Sequence, residues 1–272
     1  LRESAHPQAQ FIWALLRNAF HYAAVTLESI AESAREVDFA MRWGFGMKQG
    51  PFEIWQEAGW KQVAEWVKAD IDSGKALSKA PLPAWVFDGR DGVHTAEGSW
   101  SPKTGKYVPI RDLPVYKRQA FRENVLGSQA PNAATAGKTL FEDANIRLWT
   151  LDDEVVIASI KSKMHTISEA VTNGLAKGLE IAEAGYKGMV IWTQDGPFSA
   201  GADLQSMMPA FMSGGGKAIA PFEKQLQDFM LSLRYSNVPT VAAMHGLALG
   251  GGCELAVHAA KRVAAMETYV GL

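Results

Sequence analysis

One cysteine, no long apolar run and almost no net charge: each of these shortages removes a class of protein. The single cysteine, Cys253, cannot form an intramolecular disulfide, and its isolation fits a reducing, cytoplasmic setting. A thiolate nucleophile needs a base beside it, and no His or Asp lies near Cys253 in such a pattern. No stretch approaches the roughly 20 consecutive apolar residues that span a bilayer. The polar start Leu1-Arg2-Glu3-Ser4 is also unlike a signal peptide. A net charge of −2 leaves no basic field of the kind nucleic acid requires. The histidines at 6, 94, 165, 245 and 258 are scattered, with no His-x-x-x-His pair or matching carboxylates, so no metal centre is expected.

The chain does contain enough apolar residues, 47% of 272, to build one large domain or two ordinary ones. Residues 1–72 read as an all-helical block. Between 9 and 31, Ile12, Leu15, Leu16, Ala19, Phe20, Ala23, Leu27 and Ile30 recur at helical spacing as one apolar stripe. Further helices are predicted over Val37–Trp43 and over Pro51–Ile71, separated by Gly44-Phe45-Gly46-Met47-Lys48-Gln49-Gly50. On the first helix, His21 and Glu28 are read as surface or interhelix contacts. Residues 73–145 lose this periodicity and gain glycine, proline and aromatics, which predicts a connector with short hairpins.

From 146 the pattern changes to α/β. Ile146–Leu151 and Val155–Ile160 read as strands joined by a tight turn at Asp152-Asp153-Glu154. Thr166 and Glu169 have the spacing of a capping box before a helix carrying Val171, Leu175, Leu179 and Ala182. A strand at Gly188–Trp192, a helix with Phe222, Leu226, Phe229, Met230 and Leu233, and strands at Pro239–Met244 and Arg262–Met266 complete the series. Strands alternating with helices imply a mostly parallel sheet.

Two loops follow predicted buried strands: Phe198-Ser199-Ala200-Gly201-Ala202-Asp203-Leu204, and His245-Gly246-Leu247-Ala248-Leu249-Gly250-Gly251-Gly252-Cys253-Glu254. Small residues let a ligand approach the backbone, and N–H groups at helix starts have no intrahelical partner. Two such donors aimed at one point would stabilise charge developing on an oxygen, with a carboxylate close by for acid–base work. Each loop also has a plain reading: the glycines as a tight strand-to-helix turn, and Asp203 as an N-cap. The run fits neither G-x-G-x-x-G nor a phosphate-binding loop, because no Lys-Ser/Thr follows.

These two segments, with Val238–Gly246 between them, closely resemble the signatures of the enoyl-CoA hydratase/isomerase (crotonase) family over residues 146–272. The resemblance implies a crotonase-type ββα spiral. It also implies an oxyanion hole for an acyl-CoA thioester made by the N–H groups of Ala202 and Gly251. CoA would be lined by Ala200, Ala202, Asp203 and Leu204, and Glu254 would be the first of two catalytic glutamates. The second would fall just past Tyr269–Leu272, so a C-terminally truncated domain is expected, within a longer protein. Ala259-Ala260-Lys261-Arg262 stands where relatives often carry a Cys-Asp pair.

The front block, above all Gly44–Trp55, resembles the helical C-terminal domain of 3-hydroxyacyl-CoA dehydrogenases. That resemblance implies an oligomer, and an NAD-binding domain upstream that these residues do not contain. Together the two resemblances imply a bifunctional β-oxidation protein that hydrates 2-enoyl-CoA and oxidises the 3-hydroxyacyl-CoA. Double-bond isomerisation, or a non-catalytic acyl-CoA-binding or assembly module, stands as the alternative.

Overall fold

The computed structural model describes residues 1–127 and 132–272; residues 128–131, part of the expected connector, lie outside the described residues. The chain divides into two compact units at that point.

The first unit begins with four helices: α1 (Pro7–Ile30), α2 (Ala34–Phe45), α3 (Pro51–Glu57) and α4 (Trp60–Asp72). The single helix predicted over 51–71 is interrupted at Gly59, whose φ of +99° no right-handed helix accommodates. The stripe on α1 is also rotated from expectation. Trp13, Phe20, Ala23, Ala24 and Leu27 are buried, whereas Leu15 and Ile30 are more than half exposed. Of the two polar residues on that helix, Glu28 is exposed and His21 is buried, its Nε2 2.6 Å from the Ala80 carbonyl.

Aromatic burial dominates this core. Trp55 stacks on Trp60 at 4.3 Å and on Phe20 at 5.5 Å. Both buried indoles also donate their N–H groups, Trp55 to the Trp60 carbonyl and Trp60 to the Val86 carbonyl, each at 3.0 Å. Large rings are thereby buried without stranding a polar atom.

Residues 73–127 are packed into the first unit. They form the strands β1 (His94–Thr95), β2 (Gly98–Ser101) and β3 (Lys106–Val108) of a small antiparallel sheet, followed by a short helix α5 (Pro114–Lys117). Gln56 of α3 clamps this segment, accepting from the Val93 and His94 N–H groups and donating to the His94 carbonyl. His94 is itself fully buried between Asp38 of α2, at 2.6 Å, and the Ser99 hydroxyl, at 2.8 Å. Asp38 also accepts from the Phe52 and Glu53 N–H groups at the start of α3. One carboxylate therefore joins two helices and the sheet.

In the second unit a six-stranded sheet runs in the order β10-β8-β7-β6-β5-β4. Its strands are β4 (Lys138–Glu142), β5 (Ile146–Thr150), β6 (Val156–Ile160), β7 (Met189–Ile191), β8 (Thr240–Met244) and β10 (Lys261–Ala264). The neighbours from β6 to β10 are parallel and those from β4 to β6 antiparallel. β4 lies inside the stretch predicted as connector. A separate parallel pair joins β9 (Leu247–Leu249) to β11 (Tyr269–Gly271).

Three helices complete the unit: α6 (Glu169–Gly185), α7 (Leu204–Arg234, broken at Gly215) and α8 (Gly251–His258). Ile146, Leu148, Val156, Ala158 and Ile160 of the sheet share a core with Val171, Leu175 and Leu179 of α6. The cap of α6 differs from expectation. Ser168, not Thr166, accepts from the Val171 N–H, because the chain stays extended through Thr166.

At the end of α4, Asp70 accepts from the Trp13 indole at 2.8 Å and pairs with Arg17 at 3.2 Å, both largely out of solvent. Burial alone would push the Asp70 carboxyl up. Hydrogen bonds from Trp13 and Arg17 and the charges of Arg2 and Arg17 outweigh it and hold the carboxyl below its ordinary value. Asp70→Ala is expected to cost about 3 kcal/mol, because Arg17 is then buried without its partner. A folded-state value below the unfolded one means that the unfolded chain protonates first on acidification. The stabilisation is therefore complete above the unfolded-state value of about 3.9 and is lost as pH falls through the folded-state value. Urea unfolding of both proteins across this range checks it: their separation should be constant at neutral pH and shrink below about pH 4.

Candidate functional site

Both loops singled out in the sequence leave the carboxyl ends of neighbouring parallel strands, the first after β7 and the second after β8. This is where open parallel sheets gather their ligand-binding groups. The first loop is held along both sides. On one side Ser199 donates its N–H to the Leu247 carbonyl and accepts from the Leu249 N–H, each at 3.0 Å. On the other, Ala200 donates to the Met164 carbonyl at 3.1 Å, Ile167 donates to the Gly201 carbonyl at 2.8 Å, and Asp203 donates to the Ile167 carbonyl at 3.0 Å. The second loop is fixed by β9 pairing with β11 and by the Gly250 N–H on the Gly271 carbonyl at 2.8 Å.

Within this framework two backbone donors stand out. Neither the Ala202 N–H nor the Gly251 N–H has an acceptor among the described residues. They lie together. A methyl group built on Gly251 would sit 3.6 Å from the Ala202 nitrogen, 3.8 Å from a Glu254 carboxylate oxygen and 3.8 Å from Ile167 Cδ1. Gly251 is the first residue of α8, where the N–H has no intrahelical partner by construction. Glu254 stands in the first turn of the same helix. A space bordered by two unpartnered N–H groups and a carboxylate suits an oxygen that gains negative charge while a proton moves nearby.

The close approach of the loops explains their small residues. Gly201 has φ +95°, and a Cβ there would lie 2.8 Å from the Leu249 carbonyl oxygen. At Gly252 a Cβ would meet Ser199 Cβ at 2.7 Å and the Ser199 carbonyl oxygen at 2.8 Å.

The other residues singled out in the sequence take varied positions. Ala200 spends its N–H on Met164. Asp203 caps α7, its carboxylate accepting from the Gln205 and Ser206 N–H groups. Leu204 opens α7 and is 68% exposed, which leaves its side chain free to meet a ligand. A cavity of about 480 Å³ opens beside Ala202, lined by Ile167, Met207, Phe222 and Leu226 among others. Glu254 itself is exposed.

The strap from Met164 to Ile167, which borders the first loop, was not legible. Met164 and His165 both take positive φ, +57° and +50°, and neither residue type signals that conformation. Gly252→Ala is expected to lower folding stability by about 2 kcal/mol, because the added methyl meets the Cβ and carbonyl oxygen of Ser199, which cannot swing aside as the end of a long side chain would. The shift in urea midpoint at constant slope measures it.

The chain is similar in sequence to several known proteins. Residues 154–272 match the family model described as enoyl-CoA hydratase/isomerase. A probable 3-hydroxyacyl-CoA dehydrogenase of Bacillus subtilis is 29% identical over 97% of this chain and 32% of its own length. A putative fatty acid oxidation complex trifunctional enzyme of Rickettsia felis is 26% identical over 95% of this chain and 31% of its own. The human mitochondrial methylglutaconyl-CoA hydratase is 31% identical over 54% of this chain and 44% of its own. The chain thus spans about a third of the length of the first two relatives. From Glu154 onward, the chain is similar to the enoyl-CoA hydratase/isomerase family.

Proposed function

We propose that the second unit polarises the thioester of a 2-enoyl-CoA and serves its hydration to the 3-hydroxyacyl-CoA, a step of fatty-acid β-oxidation. The observation that carries this reading is the pair of unpartnered N–H groups, Ala202 and Gly251, lying close together beside Glu254. In hydration the oxygen of water bonds to C3, the double-bond electrons move onto the thioester oxygen, and a proton then returns to C2. The charge that grows on the thioester oxygen is what two N–H donors meet, and they meet it more strongly in the transition state than in the substrate.

Glu254 takes the role of the carboxylate that orients the water and accepts its proton. By the family resemblance it shares that work with a second glutamate. The cavity beside Ala202 gives the acyl portion room, with Ile167, Met207 and Leu226 as apolar walls. Asp203 and Leu204, at the start of α7, lie where the CoA portion would pass.

Coupling to NAD-dependent oxidation of the product belongs to the longer protein. It is supported by the match of both units together to the Bacillus subtilis relative, whose name is that of a 3-hydroxyacyl-CoA dehydrogenase. The helices of the first unit would be the part contributed to that activity, and NAD would be held outside this chain.

Glu254→Gln tests the reading. Hydration of a short 2-enoyl-CoA, followed by loss of the enoyl-thioester absorbance, is expected to slow by about a thousandfold in the protein carrying this domain. Acyl-CoA affinity measured by calorimetry should change by less than about threefold, because the carboxylate acts on water and not on the CoA. Undiminished hydration would remove Glu254 from the mechanism. Absence of acyl-CoA binding by the unsubstituted chain would overturn the site itself.

A further inference from the structure

Ser199 occupies an unusual place for a residue without a free polar group. It is completely buried, and its backbone pairs with both Leu247 and Leu249 of the second loop. Its hydroxyl donates to the His165 carbonyl at 2.7 Å and accepts from the Gly201 N–H at 3.1 Å. Its Cβ faces Gly252, one residue beyond the Gly251 donor. One side chain thus touches the strap, the peptide preceding the Ala202 donor and the helix start that carries the Gly251 donor.

The strap is shaped to meet it. Met164 and His165 both hold left-handed conformations that non-glycine residues adopt at a cost. In that conformation the Met164 carbonyl receives the Ala200 N–H and the His165 carbonyl receives the Ser199 hydroxyl. The next peptide along is fixed by the Ile167 N–H on the Gly201 carbonyl. That carbonyl belongs to the same planar unit as the Ala202 N–H, so holding one end aims the other.

We propose that Ser199 is a positioning residue for the oxyanion donors. Its hydroxyl, clamped between the His165 carbonyl and the Gly201 N–H, sets the direction of the Ala202 N–H relative to the Gly251 N–H. This rests on the reading of the site as one that polarises an acyl-CoA thioester. An apolar side chain here fills nearly the same volume but leaves the His165 carbonyl without its donor and the Gly201 N–H without its acceptor, and the turn relaxes. The donors remain present but lose their common aim.

The test reads aim separately from folding and affinity. An α,β-unsaturated aryl acyl-CoA absorbs at longer wavelength when its thioester carbonyl is polarised, so its red shift on binding reports the two donors directly. Ser199→Ala and Ser199→Cys are compared with the unsubstituted chain, the cysteine keeping the volume with only a weak donor and acceptor. Both variants are expected to bind the CoA ester within about threefold of wild type, while the red shift falls to roughly half and kcat for hydration by roughly tenfold at similar KM.

A full red shift in Ser199→Ala would overturn the proposal. If that variant does not fold, Ser199→Cys is judged by the same criterion, and failure of both to fold would overturn it in favour of a serine needed only for structure. If the unsubstituted chain binds the ester without any red shift, the thioester-polarising reading fails, and this proposal with it.

Discussion

A buried backbone N–H left without a partner is among the more expensive things a protein can keep, and native structures pair nearly all of them. The second unit has two unpartnered N–H groups close together among the described residues, that of the half-buried Ala202 and that of the buried Gly251. The constraint is severe, because any slack in either loop would let Ala202 or Gly251 swing to a neighbouring carbonyl and quench itself. The second unit answers by tying down the adjacent polar backbone. Ser199, Ala200, Gly201 and Asp203 are all engaged on one loop, and Leu247, Leu249 and Gly250 on the other. Orphan donors survive here because their neighbours have no freedom to help them.

The larger architecture follows from the same demand. Two loops can converge only if they leave adjacent strand ends on the same edge, which the parallel pairing of β7 with β8 provides. They can approach to within van der Waals contact only if the facing residues lack side chains, hence glycine at 201 and 252. The core of Leu148, Ala158, Met189 and Leu175 between sheet and α6 supplies the rigidity on which the loops are anchored. Fold, loop composition and chemistry are therefore linked in one direction, from the donors outward.

That linkage also decides how much could be read beforehand. The strands β6 to β8 and the helix α6 were legible because one face of each is buried and apolar residues mark it, while β5 is buried along its whole length. The two loops were legible because glycine and alanine in that setting have few other uses. Ser168 as the cap of α6, the segment Met164–Ile167 beside the first loop and the break at Gly59 were less so. A cap depends on where the chain turns, and a left-handed methionine or histidine carries no signature in its type. The attachment of residues 92–95 to α3 carried no signal in the sequence for a similar reason. What binds them to α3 is the side-chain amide of Gln56 reading backbone groups 37 and 38 positions away, a contact with no periodicity to detect.

The choice of backbone donors has a further consequence. A side-chain donor can be lost by one substitution, whereas a backbone N–H persists through any substitution except proline, provided the turn keeps its shape. Selection at such a site then falls on shape: on glycines at close approaches, on residues that tolerate unusual φ, and on buried hydroxyls that hold the turn. The carboxylate is different. Glu254 is exposed, stands in the first turn of α8 and contributes by its side chain alone. On the proposed function, the site separates into a framework part, which would polarise any thioester placed in it, and an acid–base part, which would decide what reaction the polarised thioester undergoes. Changing the second while keeping the first is the inexpensive route to new chemistry, and the burial of Ser199 beside an exposed Glu254 is how that division is built into this chain.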